Sequence, residues 1–147
     1  MAYQFASEEY LNAIVETLNN DSRYAEVAKN WEGDLLFVIE PDEGIEDPRL
    51  PIIFYLDLWH GACRGGRVYG AEEKDLPKAA FTLMAPRSNF LKVLSGEMHP
   101  LQAMLTRRLR LQGSMAYMTR NVPVLLDFVR SLSNIPIAPD PLYESAA

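Results

Sequence analysis

The sequence predicts an α+β fold: a five-stranded, mostly antiparallel or mixed sheet with helices packed on one face. Three observations carry this expectation. Apolar residues recur at helical spacing near both ends of the chain, short apolar runs of strand length fill the middle, and glycine-containing reversals join them. At 147 residues the chain has the size of one domain, which hides roughly 70% of its unfolded surface and needs no staples. Positions 1–135 are assigned to that domain and 136–147 to an extended C-terminal tail.

The elements follow in order. Ser7 is placed to cap a helix whose first turn holds Glu8 and Glu9, where the helix dipole favours acids. Tyr10, Leu11, Ile14, Val15 and Leu18 form its apolar stripe. Asn19-Asn20-Asp21 breaks it, and a second short helix over Ser22–Asn30 is expected to bury Tyr24, Val27 and Ala28. Asp34–Glu40 reads as a strand with apolar residues on both faces, hence central. Pro41–Pro51, with three prolines, a glycine and four acids, reads as a solvated loop. Ile52–Trp59 is the second strand and Arg67–Gly70 a third, with Gly61 and Gly65-Gly66 supplying the reversal between them.

Lys78–Met84 is expected as a fourth strand. Pro86 opens a helix through Phe90, Leu91, Val93 and Leu94 that Gly96 ends, and Pro100 opens another through Leu101, Ala103, Met104 and Leu105. Arg107–Gly113 alternates as a half-exposed strand, Leu109 and Leu111 one way and Arg108, Arg110 and Gln112 the other. Met115, Met118, Val122, Leu125, Leu126, Val129 and Leu132 lie on one stripe of a last helix, which Pro123 kinks or restarts. From Pro136 the tail is expected to be loosely held.

Composition narrows the function classes. A lone cysteine, Cys63, rules out an internal disulfide and suits a reducing compartment. Met1–Glu9 shows no signal-peptide pattern, and the longest apolar stretch, Pro51–Leu56, falls far short of the ~18 residues of a membrane span. A cytoplasmic location is therefore expected. The net charge of −6 and pI near 4.9 argue against a nucleic-acid partner. Arg107, Arg108 and Arg110 then read as a local basic cluster, two of which face water at alternating strand spacing.

Catalysis needs a nucleophile, base or metal with partners, and few are present. His60 and Cys63 have the spacing of half a metal site with no second pair to complete it. Cys63 beside Arg64 and His60 is a weak nucleophile candidate. Gly65-Gly66 lacks a P-loop pattern, the acids Asp42, Glu43, Glu46 and Asp47 match no calcium loop, and His99 belongs to no motif. No cofactor fingerprint appears. What remains is an apolar concentration: Phe90, Leu94, Met98, Leu101, Met104, Leu105, Met115 and Met118 fall within thirty residues. Methionine suits surfaces that accept varied apolar partners. Spacing alone leaves both a filled core and a lined cavity open.

The segment Met98-His-Pro-Leu-Gln-Ala-Met-Leu-Thr-Arg-Arg-Leu-Arg-Leu-Gln-Gly-Ser-Met resembles the C-terminal signature of the sterol carrier protein type 2 family. Gly96, Pro100, Ala103, Met104, Leu109, Leu111 and Gly113 stand at the family's places. Trp31-Glu-Gly-Asp-Leu-Leu-Phe looks like the family's first strand, Ala79-Ala80-Phe81-Thr82-Leu83 like a later one, and Phe90-Leu-Lys-Val-Leu like the helix after it. The likeness covers about Ser22 to Leu132. Departures are Arg107 in place of a glycine, Ala80 in place of an aspartate, and Pro123 in the final helix.

The resemblance implies a tunnel for lipid and a non-catalytic carrier of an apolar ligand such as a fatty acid, an acyl-CoA or a sterol-like molecule. Met104, Leu105, Met115 and Met118 are then expected to line it, with Phe37, Phe81, Met98 and Leu111 adding to the wall. Phe90, Leu94 and Leu101 form a lid layer, and Leu125, Leu126 and Val129 close one end. The alternative is a module of the same fold without a free cavity, acting as a homodimer or an enzyme accessory.

Overall fold

The computed structural model describes residues 2–144. Helix α1 (Glu8–Asn19) starts where capping chemistry predicts: the Ser7 hydroxyl accepts from the Tyr10 N–H. Helix α2 (Ser22–Val27) is capped in the same way by Asp21, through the Tyr24 N–H. It is shorter than expected, and Val27 lies on its outer side, exposed rather than buried, whereas Tyr24 and Ala28 are fully enclosed.

The five strands are β1 (Leu35–Glu40), β2 (Ile52–Trp59), β3 (Ala62–Tyr69), β4 (Phe81–Pro86) and β5 (Arg110–Gln112). They form one mixed sheet in the order β3-β2-β1-β4-β5, with β1 central as its two-faced apolarity predicts. The β1–β4 pair is parallel and the other three are antiparallel. The hairpin between β2 and β3 turns on His60 and Gly61 alone, both with positive φ, the conformation a two-residue turn requires. Gly65 and Gly66, expected in that reversal, sit inside β3, which begins five residues earlier than predicted. A register shift opposite Leu56 and Leu58 marks a bulge there, a place where glycine is tolerated in a strand. Strand β5 covers only the end of the predicted Arg107–Gly113 strand, because Arg107 takes a left-handed turn after the preceding helix.

Pairing fixes which side chains share a face. Leu35, Phe37 and Ile39 of β1, Phe54, Leu56 and Leu58 of β2, Phe81, Leu83 and Ala85 of β4 and Leu111 of β5 point inward. The helices cover this face: α1, α2, α3 (Arg87–Leu94), α4 (Pro100–Leu105), α5 (Met115–Arg120) and α6 (Val122–Leu132). Pro123 restarts the helix after a break at Asn121 instead of bending one continuous rod. The outer face keeps a smaller cluster of Leu36, Ile53 and Tyr69, with Val38, Tyr55 and Ala79 against it.

One packing constraint orients the sheet's middle. The Phe81 ring lies against Trp31 and Tyr117, with centroids 5.5 Å away in each case. Gly33 and Gly113 flank it so closely that a Cβ at either would approach ring atoms to 2.5 and 2.8 Å. The glycine of the Trp-Glu-Gly segment and that of Leu-Gln-Gly therefore make room for one phenylalanine.

The C-terminal segment departs from expectation. Instead of hanging loosely, it pairs as a parallel bridge, Tyr3 with Ile137, through the Tyr3 N–H to Pro136 O at 2.9 Å and the Ala138 N–H to Tyr3 O at 2.7 Å. It then forms a short helix, α7 (Pro141–Glu144). Of the predicted tail, 145–147 lies outside the described residues.

Replacing Gly113 by alanine sets a Cβ 2.8 Å from the Ala80 carbonyl oxygen as well as from Phe81. A loss of about 2–3 kcal/mol is expected from steric and backbone strain together, readable as a lower urea midpoint with an unchanged slope.

Candidate functional site

Where the helices meet over the inner sheet face they leave a cavity of about 100 Å³ with a wholly apolar wall. Its floor is the inward row of β1, β2 and β4: Leu35, Phe37, Ile39, Phe54, Leu56, Leu58 and Leu83. Tyr10 and Ile14 of α1 form one side. Phe90, Val93 and Leu94 of α3 with Pro100 and Met104 of α4 form another, and Met118 of α5 with Val124, Leu125, Phe128, Val129 and Leu132 of α6 form the roof. Phe128 stacks on Phe37 with ring planes 9° apart, and Phe90 meets Phe37 edge-on.

Half of the residues expected at the site meet here: Phe37, Phe90, Leu94, Met104, Met118, Leu125 and Val129 share one wall. The other half do not. Phe81 is buried in its glycine clamp. Met98 is buried in the loop before α4, and Leu101, Leu111 and Met115 are half-buried beside the core. Leu105 and Leu126 face outward at 59% and 43% exposure. The reason is helical geometry: successive residues are ~100° apart, so Met104 and Leu125 turn inward while the next residue of each helix turns out.

Of the α1 and strand residues in the wall, Phe37 alone is among those the sequence reading expects there. Tyr10 and Ile14 follow i, i+4 spacing, Leu35, Phe37 and Ile39 follow strand alternation, and Val124, Phe128 and Leu132 follow i, i+4 spacing again. Each pattern marks an inward face, but none says that the face borders empty space.

Tyr10 is the one titratable residue in the wall. Burial pushes its phenol far above the usual tyrosine range, and its hydroxyl finds no hydrogen-bond partner among the described groups.

The groups considered for catalysis lie apart and are otherwise engaged. Cys63 is buried, its thiol pushed up to about 11 by desolvation, and its sulfur contacts Gly65 O at 3.4 Å. His60, at the hairpin turn, pairs with Glu32 at 2.6 Å. His99 caps α4, its Nδ1 accepting from the Leu101 N–H. Among the described residues no three His, Cys, Asp or Glu side chains gather as a metal site.

The loop read as solvated is partly structural. Asp42 accepts from the Ser88 N–H at the start of α3. Asp47 is buried and accepts from the Arg49 guanidinium and, at 2.7 Å, from the Tyr143 hydroxyl. Arg49 also reaches Asp140 at 2.7 Å. The Arg49 hydrogen bonds hold the Asp47 carboxyl near 2 against its desolvation. Arg87, largely buried, lies over the Tyr143 ring at 3.9 Å and over Phe5 at 5.6 Å. Asp21 is opposed by burial but is held near 2 by the Tyr24 N–H and Arg130.

A mixed five-stranded sheet whose inner face is closed by short helices around an apolar interior is the build of a sterol carrier domain. Residues 11–126 match the SCP-2 sterol transfer family, and the chain belongs to that family of lipid-binding and lipid-transfer domains. It is similar to a crystal structure of sterol carrier protein 2, at 29% identity and a TM-score of 0.77, covering 90% of this chain and 99% of that one. A conserved hypothetical protein of Thermus thermophilus, described as possibly a sterol carrier protein, is 28% identical with a TM-score of 0.79, covering 95% and 94%. The Aedes aegypti sterol carrier protein 2, solved in complex with palmitate, shares the fold at 16% identity and a TM-score of 0.50, covering 87% of this chain and 97% of that one. Comparison with curated proteins gives no match. Among the described residues no helix is long and apolar enough to cross a membrane.

Two outcomes test this account. Tyr10→Phe removes a buried hydroxyl without a partner, and a gain of about 1 kcal/mol is expected in thermal unfolding. The Asp47 and Asp21 carboxyls sit below their unfolded value of about 3.9, so their stabilisation is present above that value and is lost as pH falls towards 2. Stability should drop over that window, and Asp47→Asn should lower it at neutral pH while flattening the acid limb.

Proposed function

We propose that this protein binds an apolar, lipid-like molecule without transforming it, holding the ligand's hydrocarbon in the cavity between the inner sheet face and α1, α3, α4, α5 and α6. The carrying observation is the wall itself. It brings together side chains from eight elements with no charged member, and its polar side-chain groups are two: the Tyr10 hydroxyl, which has no partner, and the Trp31 indole N–H, which donates to the Gly33 carbonyl oxygen. Membership of the sterol transfer family and the palmitate held by the Aedes aegypti relative support a fatty acyl chain or a sterol-like body as the occupant.

The driving force is transfer of hydrocarbon from water, about 0.8 kcal/mol per CH₂. A sixteen-carbon chain gains roughly 12–13 kcal/mol gross, against about 4–15 kcal/mol for association and ordering. Micromolar binding needs no dedicated polar contact. The space of about 100 Å³ is smaller than the ~300–1,000 Å³ of ligand sites. Occupancy therefore requires α4 and α6 to ride outward from the sheet. Met104 and Met118 suit such a wall because the thioether side chain refits at little cost. The break at Asn121 and Pro123 lets α6 move without α5.

The same small volume favours a second reading, a packed module that serves as a homodimer or an enzyme's accessory domain. Binding separates the two. Purified protein, delipidated and titrated with a fluorescent sixteen-carbon fatty acid, is expected to bind one equivalent at micromolar affinity. Leu94→Trp, which fills the cavity from its half-buried edge, should weaken binding at least tenfold with the circular dichroism spectrum unchanged. No binding by the parent, together with no apolar molecule in its mass spectrum after extraction, would favour the packed module.

A further inference from the structure

The net charge of −6 is unevenly spread. From Met98 to Leu126 there is no aspartate or glutamate, while Arg107, Arg108, Arg110 and Arg120 all fall in that stretch. Elsewhere the arginines are engaged. Arg23, Arg49, Arg64 and Arg130 form ion pairs, as Arg110 does with Glu40. Arg67 and Arg87 lie over the rings of Tyr69 and Tyr143. Arg107, Arg108 and Arg120 do neither among the described residues, and all three are exposed. They stand at or just beyond the C-terminal ends of α4 and α5, two of the short helices that pack on α6.

Helices α4 and α6 carry the most exposed leucines among the described residues, Leu105 at 59% and Leu126 at 43%. Each directly follows a residue of the cavity wall, Met104 in α4 and Leu125 in α6. The wall is one helix thick here, apolar inside and apolar outside, with unpaired positive charge beside it. A nucleic acid has no use for exposed leucines. An anionic bilayer takes both features, hydrocarbon at its boundary and arginine at its headgroups.

We infer that the outer face of α4 and α6, with Arg107, Arg108 and Arg120 around Leu105 and Leu126, docks on anionic lipid membranes and presents the thin cavity wall to the bilayer. The inference rests on the ligand-binding reading above. On docking, the two leucines enter the interface and the arginines meet lipid phosphates. The wall that must open to admit hydrocarbon is then the wall in contact with its source. The acidic remainder of the surface is repelled from the same membrane, so electrostatics orient the protein as well as hold it.

Flotation of the full-length protein with phosphatidylcholine vesicles, with and without phosphatidylglycerol, tests this. Binding is expected only with phosphatidylglycerol and is expected to weaken steeply with added salt. Each arginine near an anionic surface contributes about fivefold, so R107Q/R108Q/R120Q should bind about a hundredfold more weakly. L105S/L126S should also lose binding, since all five positions are exposed and their replacement leaves the core intact. Solution binding of the fluorescent fatty acid should be unchanged in both variants. If the parent lacks that solution binding, the ligand reading fails while flotation still judges the docking face. Equal flotation of the triple variant and the parent, equal binding to vesicles without phosphatidylglycerol, or no flotation at all would overturn the inference. So would a concentration-dependent dimer in sedimentation that L105S/L126S abolishes, because a second copy would then occupy the face.

Discussion

The arrangement above the sheet depends on covering a broad apolar face with helices of only six to twelve residues. Two long helices laid across the strands would interdigitate with them along their whole length. Six short ones meet the sheet at separate angles, and each must be stopped, capped and restarted. Their ends carry the chemistry for it: Ser7, Asp21, His99 and Ser114 each accept a backbone N–H at a helix start. Where such pieces converge over the middle of a sheet, their side chains do not fill every gap. The apolar cavity is the result.

A roof made in pieces needs ties at its perimeter, and the buried ionic groups supply them. Arg130 of α6 bridges to Asp21, the cap of α2, and to Asp127 on its own helix, which also meets Arg23 of α2. On another side, Asp47, Arg49, Asp140 and Tyr143 join the 41–51 loop to the C-terminal segment, with Arg87 of α3 lying over Tyr143. Removing one member of such a set strands another charge out of water, which costs more than the pair contributes. Charge stays at the rim and the centre stays free of it. A hydrocarbon guest and a stable fold both require that division.

The fold was legible because its signals are local. Ser7 with Glu8 and Glu9, Gly96 after α3, Pro100 opening α4 and the break at Pro123 each act within a few residues, and each fell where capping and proline geometry place it. The central position of β1 followed from its two apolar faces. The site was only half legible, for a geometric reason. A stripe of leucines and methionines identifies a helix face to within about a quarter turn, which separates Leu125 from Leu126 only once the partner helix is known. Phe81 shows the other limit. As an aromatic on an inward strand it has every local mark of a cavity wall, but Gly33 and Gly113, distant in sequence, close over it. The tail was misjudged because its three prolines suggest looseness, while its anchors, Tyr3, Arg49 and Asp47, lie more than eighty residues away.

The Tyr3–Ile137 bridge has an architectural consequence. Two strands in register are separated by about 4.8 Å, so residues 3 and 137 lie at nearly one point, with α7 packed beyond the bridge. A unit with adjoining ends can be spliced into a surface turn of a host protein without prying the host apart. By the same geometry, a circular permutant joined there and opened at the His60-Gly61 turn keeps every strand pairing of the sheet.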